Sequence, residues 1–178
     1  HVFFNQRAGQ FVEEAVPTEF TSAKAIAVAD VNGDGVLDLV AVLPNGAIAR
    51  LGWTDTDAWT SSTIATVPNP PVNLEGEVRL QAADIDNNGA IDLLLGQVSP
   101  AENRAAGALI WLADTSGNFH LLDRPVGASQ VFSLADVRDD GRLALLGLTS
   151  DGQPREDLNH GTKGYHWQTI RPRARQAT

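Results

Sequence analysis

DVNGDGVLD at residues 30–38 is the stretch that decides the fold of this 178-residue chain. The same spacing of acidic, amide and glycine residues recurs as DIDNNGAID at residues 84–92 and, with substitutions, as DVRDDGRLA at residues 136–144. The copies begin 54 and then 52 residues after one another. Self-similarity at a fixed period of this length is typical of repeat proteins, in which each copy forms one structural unit. The chain is therefore predicted to consist of repeated units.

Short apolar segments flank every copy of the loop. They lie at residues 25–29, 79–83 and 131–135 before the loops, and at residues 39–43, 93–96 and 145–148 after them. Apolar runs this short, bounded by Gly, Asn and Asp, are typical of buried β-strands rather than of helices. Each loop is therefore predicted to join the two strands of a hairpin.

A second pair of strands is predicted behind each hairpin. These strands lie at residues 46–53 with 59–67, 107–113 with 119–124, and 153–158 with 165–171. The N-terminal segments 2–6 and 10–12 match only this second pair. Four-stranded repeats of about 40–50 residues are typical of propeller blades. The predicted fold is all-β, a partial β-propeller of four-stranded antiparallel blades with about three full blades plus an N-terminal half blade.

Proline-containing joints mark the predicted boundaries of the units, since proline interrupts strands. The predicted units are a truncated blade at 1–17, full blades at 18–71, 72–126 and 127–172, and a tail or the start of another module at 173–178. A closed propeller usually needs about four to eight blades. The chain is therefore predicted either to depend on further blades or to associate with copies of itself.

The loops have the composition of calcium sites. Ca²⁺ prefers several oxygen ligands, which Asp and Asn at positions 1, 3 and 5 of a tight loop can supply, while Gly at position 6 permits the turn. Position 7 would add a backbone carbonyl, and position 9 a closing carboxylate. The predicted ligands are Asp30, Asn32, Asp34, Val36 and Asp38 in the first loop and Asp84, Asp86, Asn88, Ala90 and Asp92 in the second. Two Ca²⁺ ions are therefore expected.

Turns rich in Asn, Asp and Gly also form without a metal. Three carboxylates gathered in each of the first two loops would then repel one another, which favours the calcium interpretation. The third loop has Arg138 at position 3 and Ala144 at position 9, so we expect it to hold no ion. We expect the guanidinium of Arg138 to pair with Asp136 or Asp140 in place of the missing cation.

Two other cation-binding interpretations fit less well. An EF-hand shares the first half of the motif but requires a bidentate Glu at position 12 and flanking helices. Position 12 is Ala41 in the first loop and Leu95 in the second, each inside an apolar run that reads as a strand. Mg²⁺ demands octahedral geometry and retains several waters, so Ca²⁺ is the better fit.

The loop, together with LVAV at residues 39–42 or LLLG at residues 93–96, resembles the FG-GAP/VCBS repeat, including the cation-binding repeats of integrin α-chain propellers. Residues 164–174 are similar to the start of the module that follows such repeats in ASPIC/UnbV-type proteins. The resemblance implies a structural cation. It also implies an extracellular, cell-surface or periplasmic location.

Composition and motifs disfavour several other functions. A formal net charge of −9 argues against nucleic acid as a partner. No apolar run approaches the roughly 20 residues of a membrane helix, so we expect no membrane insertion. None of the four His residues lies in a His-Glu-x-x-His motif, and the sequence has no Gly-x-Ser-x-Gly elbow or P-loop. Close Asp pairs can indicate glycoside hydrolysis, but the repeat explains them better. We predict no catalytic residues.

The sequence thus predicts a non-catalytic, calcium-binding module whose partner is a protein or a glycan. Two alternatives stay open, a non-catalytic segment of a larger secreted hydrolase or lyase with its active site in absent blades, and a structural spacer. Four tryptophans also allow a sugar-stacking face, although aromatic residues in strands more often pack in the core. They are Trp53, Trp59, Trp111 and Trp167.

Overall fold

A computed structural model describes residues 1–69, 74, 76–99, 108–122 and 130–161 of the protein. Over these residues the chain forms β-strands and one short 3₁₀ helix, Thr18–Ser22. The strands are β1 (Val2–Asn5), β2 (Phe11–Glu14), β3 (Ala25–Ala29), β4 (Asp38–Val42), β5 (Ala47–Trp53), β6 (Trp59–Thr66), β7 (Glu77–Ala83), β8 (Asp92–Ser99), β9 (Ala108–Ala113), β10 (Phe119–Leu121), β11 (Gln130–Ala135), β12 (Ala144–Leu148) and β13 (Pro154–Asp157). The all-β prediction is confirmed. The predicted strand at 165–171 and the tail at 173–178 lie outside the described residues.

The described strands form antiparallel sheets in which strands adjacent in sequence pair with one another. Sheet 1 contains β1 and β2, sheet 2 contains β3 to β6, sheet 3 contains β7 to β10, and sheet 4 contains β11 to β13. Sheets 2 and 3 have the four strands that the sequence predicts, and sheet 1 has the predicted two. Sheet 4 has three strands within the described part of the chain. No helix of that part is long and apolar enough to cross a membrane.

Each acidic loop closes the first hairpin of its sheet. Ala29 pairs with Asp38 at the end of the first loop, and Ala83 pairs with Asp92 at the end of the second. Position 9 of each of these loops is therefore the first residue of the second strand. The register places it at the mouth of the loop, where the strand's hydrogen bonding holds its backbone in place.

Consecutive sheets pack face to face, and the core lies between them. Sheets 2 and 3 share a buried apolar cluster that includes Val40, Ile48, Leu80, Leu93 and Trp111. Sheets 3 and 4 share another, which includes Leu94, Ile110, Val131 and Leu145. Because burying one such side chain typically stabilises a protein by about 1.5–3 kcal/mol, these interfaces hold successive sheets together.

Gly96 of β8 permits the close approach of sheet 4 to sheet 3. A Cβ atom at this position would lie 2.1 Å from the carbonyl oxygen of Val131 in β11. That separation is far below van der Waals contact, so any side chain at residue 96 would force the two sheets apart.

Aromatic side chains join sheet 1 to the outer strands of sheet 2. The ring centroids of Phe4 and Trp53 are 4.7 Å apart, and those of Trp53 and Trp59 are 4.6 Å apart, both with edge-to-face geometry. The indole nitrogen of Trp59 donates a hydrogen bond of 2.8 Å to the carbonyl oxygen of Ala15. Together with the buried Trp111, these contacts place three of the four tryptophans in packing roles; Trp167 lies outside the described residues.

Sheet 1 packs against one face of sheet 2, and on that face the first strand, β3, remains uncovered. Ile26 and Val28 of β3 are 58% and 60% exposed, whereas Leu80, which occupies the position of Ile26 in sheet 3, is 4% exposed. Leu80 is covered because sheet 2 packs over it. Among the described residues sheet 1 has two strands, which cover the outer half of sheet 2 and leave an apolar strip along the inner half.

Candidate metal centre

The second loop gathers three carboxylates. One oxygen from each of Asp84, Asp86 and Asp92 lies within 4.8 Å of the other two. This is the separation that a shared cation requires, because each oxygen would lie at roughly 2.3–2.6 Å from a bound Ca²⁺. The structure therefore brings together the side chains at positions 1, 3 and 9 of the predicted site.

Backbone donors hold the tight curl of this loop. The Asp84 carboxylate accepts hydrogen bonds from the backbone N–H groups of Asn88 and Gly89, at 3.0 and 2.9 Å. Asn87 and Gly89 adopt left-handed backbone conformations, with φ of 57° and 90°. Asn and Gly tolerate this region better than other residues do. The composition of the loop thus produces the bend that turns its oxygens toward one another.

Asn88 and Ala90 are the other two predicted ligands of the second loop. The backbone N–H of Asn88 donates to Asp86 at 3.2 Å, and the Asn88 side-chain oxygen accepts the N–H of Ala90 at 2.7 Å. The side-chain nitrogen of Asn88 donates to the Ala113 carbonyl at 2.7 Å. Asn88 therefore contacts the acidic cluster and Ala90 contacts Asn88, although the Asn88 side chain also ties the loop to β9.

Asp92 is completely buried. Its two oxygens accept backbone hydrogen bonds of 2.7 Å each, one from Ala113 and one from Ile85. Desolvation raises the pKa of Asp92 to about 6; the two backbone donors oppose this effect, and the charge of Asp86 adds to it. Among the described residues no basic side chain forms a salt bridge with Asp92. The second loop thus buries a carboxylate beside two others, and the part of the chain that the structure describes supplies it no ion-pair partner.

The donor chemistry of the second loop suits a hard divalent cation. All three clustered ligand atoms are carboxylate oxygens, and neither His nor Cys belongs to the cluster. Oxygen-only sites favour Ca²⁺ and Mg²⁺ over Zn²⁺ and copper, which prefer nitrogen and sulfur ligands. A divalent ion would also supply the positive charge that the buried Asp92 lacks.

The first loop has the same spacing and the same curl. The Asp30 carboxylate accepts the backbone N–H groups of Gly33 and Gly35, both at 2.8 Å. The side chain of Asn32 donates to Asp34 at 2.7 Å, and the N–H of Val36 donates to Asp34 at 2.8 Å. These two bonds, and more weakly the charge of Arg50, hold the pKa of Asp34 below its usual value against a desolvation effect.

Arg50 makes the first loop different. The Nε atom of Arg50 lies 2.7 Å from an oxygen of Asp38, and its Nη2 atom lies 3.7 Å from an oxygen of Asp34. The Asp38 side chain is only 1% exposed. In the part of the chain that the structure describes, the carboxylates of the first loop do not form the close triad found in the second. The position 9 carboxylate of the first loop, Asp38, is thus already paired with the guanidinium of Arg50.

The Arg138 prediction for the third loop is wrong. Within the described residues Arg138 forms no salt bridge with Asp136 or Asp140. Desolvation raises the pKa of Asp136, but backbone donors, led by Gly141 and Asp140, outweigh it and lower the pKa overall. The N–H groups of Asp140 and Gly141 approach Asp136 at 3.1 and 2.8 Å. Backbone hydrogen bonds therefore satisfy this carboxylate, and the guanidinium is not needed.

Several residues at the site have no counterpart in the sequence motif. The side chain of Asn87 donates to the Gly141 carbonyl of the third loop at 2.8 Å, and that of Asn159 donates to the Ile85 carbonyl at 2.7 Å. These bonds attach the second loop to the third loop and to the residues that follow β13, on the side of sheet 4. The one sequence signal for Arg50 was a charged residue inside the otherwise apolar strand 47–53.

The chain matches no protein-family model and no curated protein. Fold and site together define an all-β protein of successively packed antiparallel sheets, with an acidic cluster that could hold a metal ion in the loop of sheet 3.

Proposed function

We propose that this chain is a calcium-binding portion of a β-propeller that acts as a non-catalytic scaffold. The observation that carries the proposal is the convergence of Asp84, Asp86 and Asp92 oxygens within 4.8 Å of one another in the second loop. Asp84, Asp86 and Asp92 would hold Ca²⁺, with Asn88 and Ala90 nearby to complete the oxygen shell. The ion would neutralise the carboxylates and stabilise the β7–β8 hairpin of sheet 3, since metal binding and folding are coupled.

The propeller part of the proposal is supported by the stacking of four-stranded antiparallel sheets along the chain. It is also supported by the uncovered strip at Ile26 and Val28, because the equivalent Leu80 is covered by a neighbouring sheet. The inner strands of a further blade, or those of a second copy of this chain, would cover the strip in the same way.

Calcium at the second loop is favoured by electrostatics. A buried carboxylate is costly unless it is paired or coordinated to a metal. Asp92 is buried with Asp86 close by; desolvation and, to a smaller extent, the charge of Asp86 raise its pKa to about 6. Ca²⁺ tolerates irregular oxygen shells better than Mg²⁺ does, so it suits a loop in which some oxygens are already engaged in hydrogen bonds.

A groove of about 520 Å³ between the first two loops offers a surface for a protein or glycan partner. Asp30 and Asp114 line it together with Leu37, which is 68% exposed. Asp114 gives this wall of the groove a negative charge at neutral pH, and hydrogen bonds from the Asn118 side chain and neighbouring backbone lower its pKa further, to about 2. Calcium would make the groove rigid by fixing the second loop. We place this activity outside the cell, at its surface or in the periplasm.

Thermal unfolding with Ca²⁺ and with a chelator tests the calcium site. A ligand at about 100 times its dissociation constant should stabilise the protein by roughly 2.7 kcal/mol per site. The Asp84→Asn/Asp86→Asn variant should lose this stabilisation. Asp140→Asn in the third loop is the matched control and should respond to Ca²⁺ as the unchanged protein does. An identical unfolding curve in Ca²⁺ and chelator would refute the calcium site.

Binding to protein and glycan arrays tests the scaffold role. We expect a partner that is retained in Ca²⁺, released by a chelator and weakened by Asp114→Asn. A partner that binds equally well in chelator would contradict the role proposed for the ion in shaping the groove.

A further inference from the structure

We infer that Arg50 takes the place of a divalent cation in the first loop, so that this loop keeps its conformation without calcium. The contrast with a calcium-dependent second loop rests on the proposed function. The inference departs from the expectation that Asp30, Asn32, Asp34, Val36 and Asp38 form a second calcium site.

The geometry of the guanidinium carries the inference. Arg50 contacts Asp38 through Nε at 2.7 Å and approaches Asp34 through Nη2 at 3.7 Å, so one positive charge serves positions 5 and 9 together. The Arg50 side chain is 24% exposed and that of Asp38 is 1% exposed. A Ca²⁺ ion held by the same two carboxylates would lie beside this charge, and like charges at such distances repel strongly in a partly buried site. Asp34 and Asp38 can therefore bind the guanidinium or a Ca²⁺ ion, but not both at once.

Strand register shows that sheet 3 lacks this arginine. Arg50 of β5 pairs with Val40 of β4, and Ile110 of β9 pairs with Leu94 of β8. Val40 and Leu94 occupy the same position after their loops, 54 residues apart. Ile110 is thus the equivalent of Arg50. An isoleucine cannot neutralise Asp92, and no basic side chain among the described residues forms a salt bridge with it, so a cation from solution would neutralise the second loop.

Gly52 makes room for the arginine. A Cβ atom at residue 52 would lie 2.9 Å from Nη2 of Arg50 and 3.0 Å from the Asp38 oxygen that Arg50 contacts. The equivalent residue in sheet 3 is Leu112, two positions after Ile110. Sheet 2 therefore carries two linked differences, an arginine that reaches the loop and a glycine that leaves space for it.

Calcium titration calorimetry on the intact chain tests the inference. With the second loop disabled by Asp84→Asn/Asp86→Asn, the protein should bind no Ca²⁺ as long as Arg50 is present. Adding Arg50→Ile should create binding of one ion per chain. If the variant that retains Arg50 still binds an ion, the inference fails while the proposed function stands. Failure of the Arg50→Ile variant to gain an ion would also overturn it, because arginine would then not be what excludes calcium.

A second measurement keeps the inference testable if the unchanged protein binds no Ca²⁺, an outcome that would refute only the proposed function. In chelator, Arg50→Ile alone should shift the unfolding equilibrium by about 100-fold or more, since removing one partner leaves a buried charge. Asp38→Asn in that background should recover much of the loss. Additive effects of the two changes would overturn the inference. Arg155→Ile, which breaks the more exposed pair with Asp157 in sheet 4, is the control and should shift the equilibrium less than about 5-fold.

Discussion

The first and second loops share a motif, a curl and a position in their sheets, yet they differ in what neutralises the carboxylate at position 9. In the first loop Asp38 is bound by Arg50. In the second, the partners of the completely buried Asp92 among the described residues are backbone N–H groups. The comparison teaches that one loop motif can place its position 9 carboxylate against a guanidinium or beside two other carboxylates, depending on the residue at the equivalent position of the neighbouring strand.

The largest expected effect is a difference in stability between two variants that carry the same Asp→Asn substitution at position 9, one in the first loop and one in the second. In chelator at neutral pH, Asp38→Asn should destabilise the protein by about 3–5 kcal/mol, because it leaves the partly buried guanidinium of Arg50 with the more distant and more exposed Asp34 as its carboxylate partner. Asp92→Asn should cost at most about 1–3 kcal/mol, because it removes an unpaired buried charge and disturbs one backbone hydrogen bond. Urea unfolding of both variants measures the gap. Equal losses would mean that the two carboxylates have equivalent surroundings, contrary to the contacts described above.

Asp92 should make its own contribution to the pH dependence of the free energy of unfolding. The pKa of Asp92 is raised to about 6 from a usual 3.8, so between these values the folded protein holds a proton that the unfolded chain has released. The contribution of Asp92 to the free energy of unfolding in chelator should therefore fall as pH rises from about 4 to about 6, by roughly 3 kcal/mol, and then level off. Comparison with Asp92→Asn isolates this contribution, because the variant should lack it. Ca²⁺ should reduce the fall, since the ion stabilises the ionised carboxylate. A variant that falls as steeply as the unchanged protein would assign the effect to other groups.

The smallest effect concerns Gly52. Gly52→Ala should crowd the Arg50–Asp38 pair and cost about 1 kcal/mol, because Arg50 can shift whereas the Asp38 carboxylate is held in a buried position. In the Arg50→Ile background the same change should cost less. A double-mutant cycle in chelator measures the difference, and a cost that is independent of residue 50 would show that Gly52 has another role.

The sequence predicted the strands of sheets 2 and 3 closely. The predicted strand 59–67 corresponds to the observed β6, Trp59–Thr66, and the predicted strand 107–113 corresponds to β9, Ala108–Ala113. These predictions succeeded because alternating apolar residues and Gly- and Asn-rich turns act locally. The acidic hairpin loops were correctly placed for the same reason.

The arginine was predicted in the wrong loop. Arg138 lies within the third loop, next to its acidic residues in sequence, whereas Arg50 lies 12 residues after Asp38. Proximity in sequence favoured Arg138. Strand pairing decided the outcome, because the register of β4 and β5 brings Arg50 back over the first loop.

By itself, the sequence determined the repeat, the hairpins and the acidic composition of the loops, since these depend on local backbone preference and on the identity of residues close together in the chain. Only the tertiary structure decided which carboxylates are buried, which gain a guanidinium and which cluster without one. Burial and ion pairing depend on contacts between strands and between sheets, and the free energy of a charge depends on those surroundings more than on its neighbours in sequence.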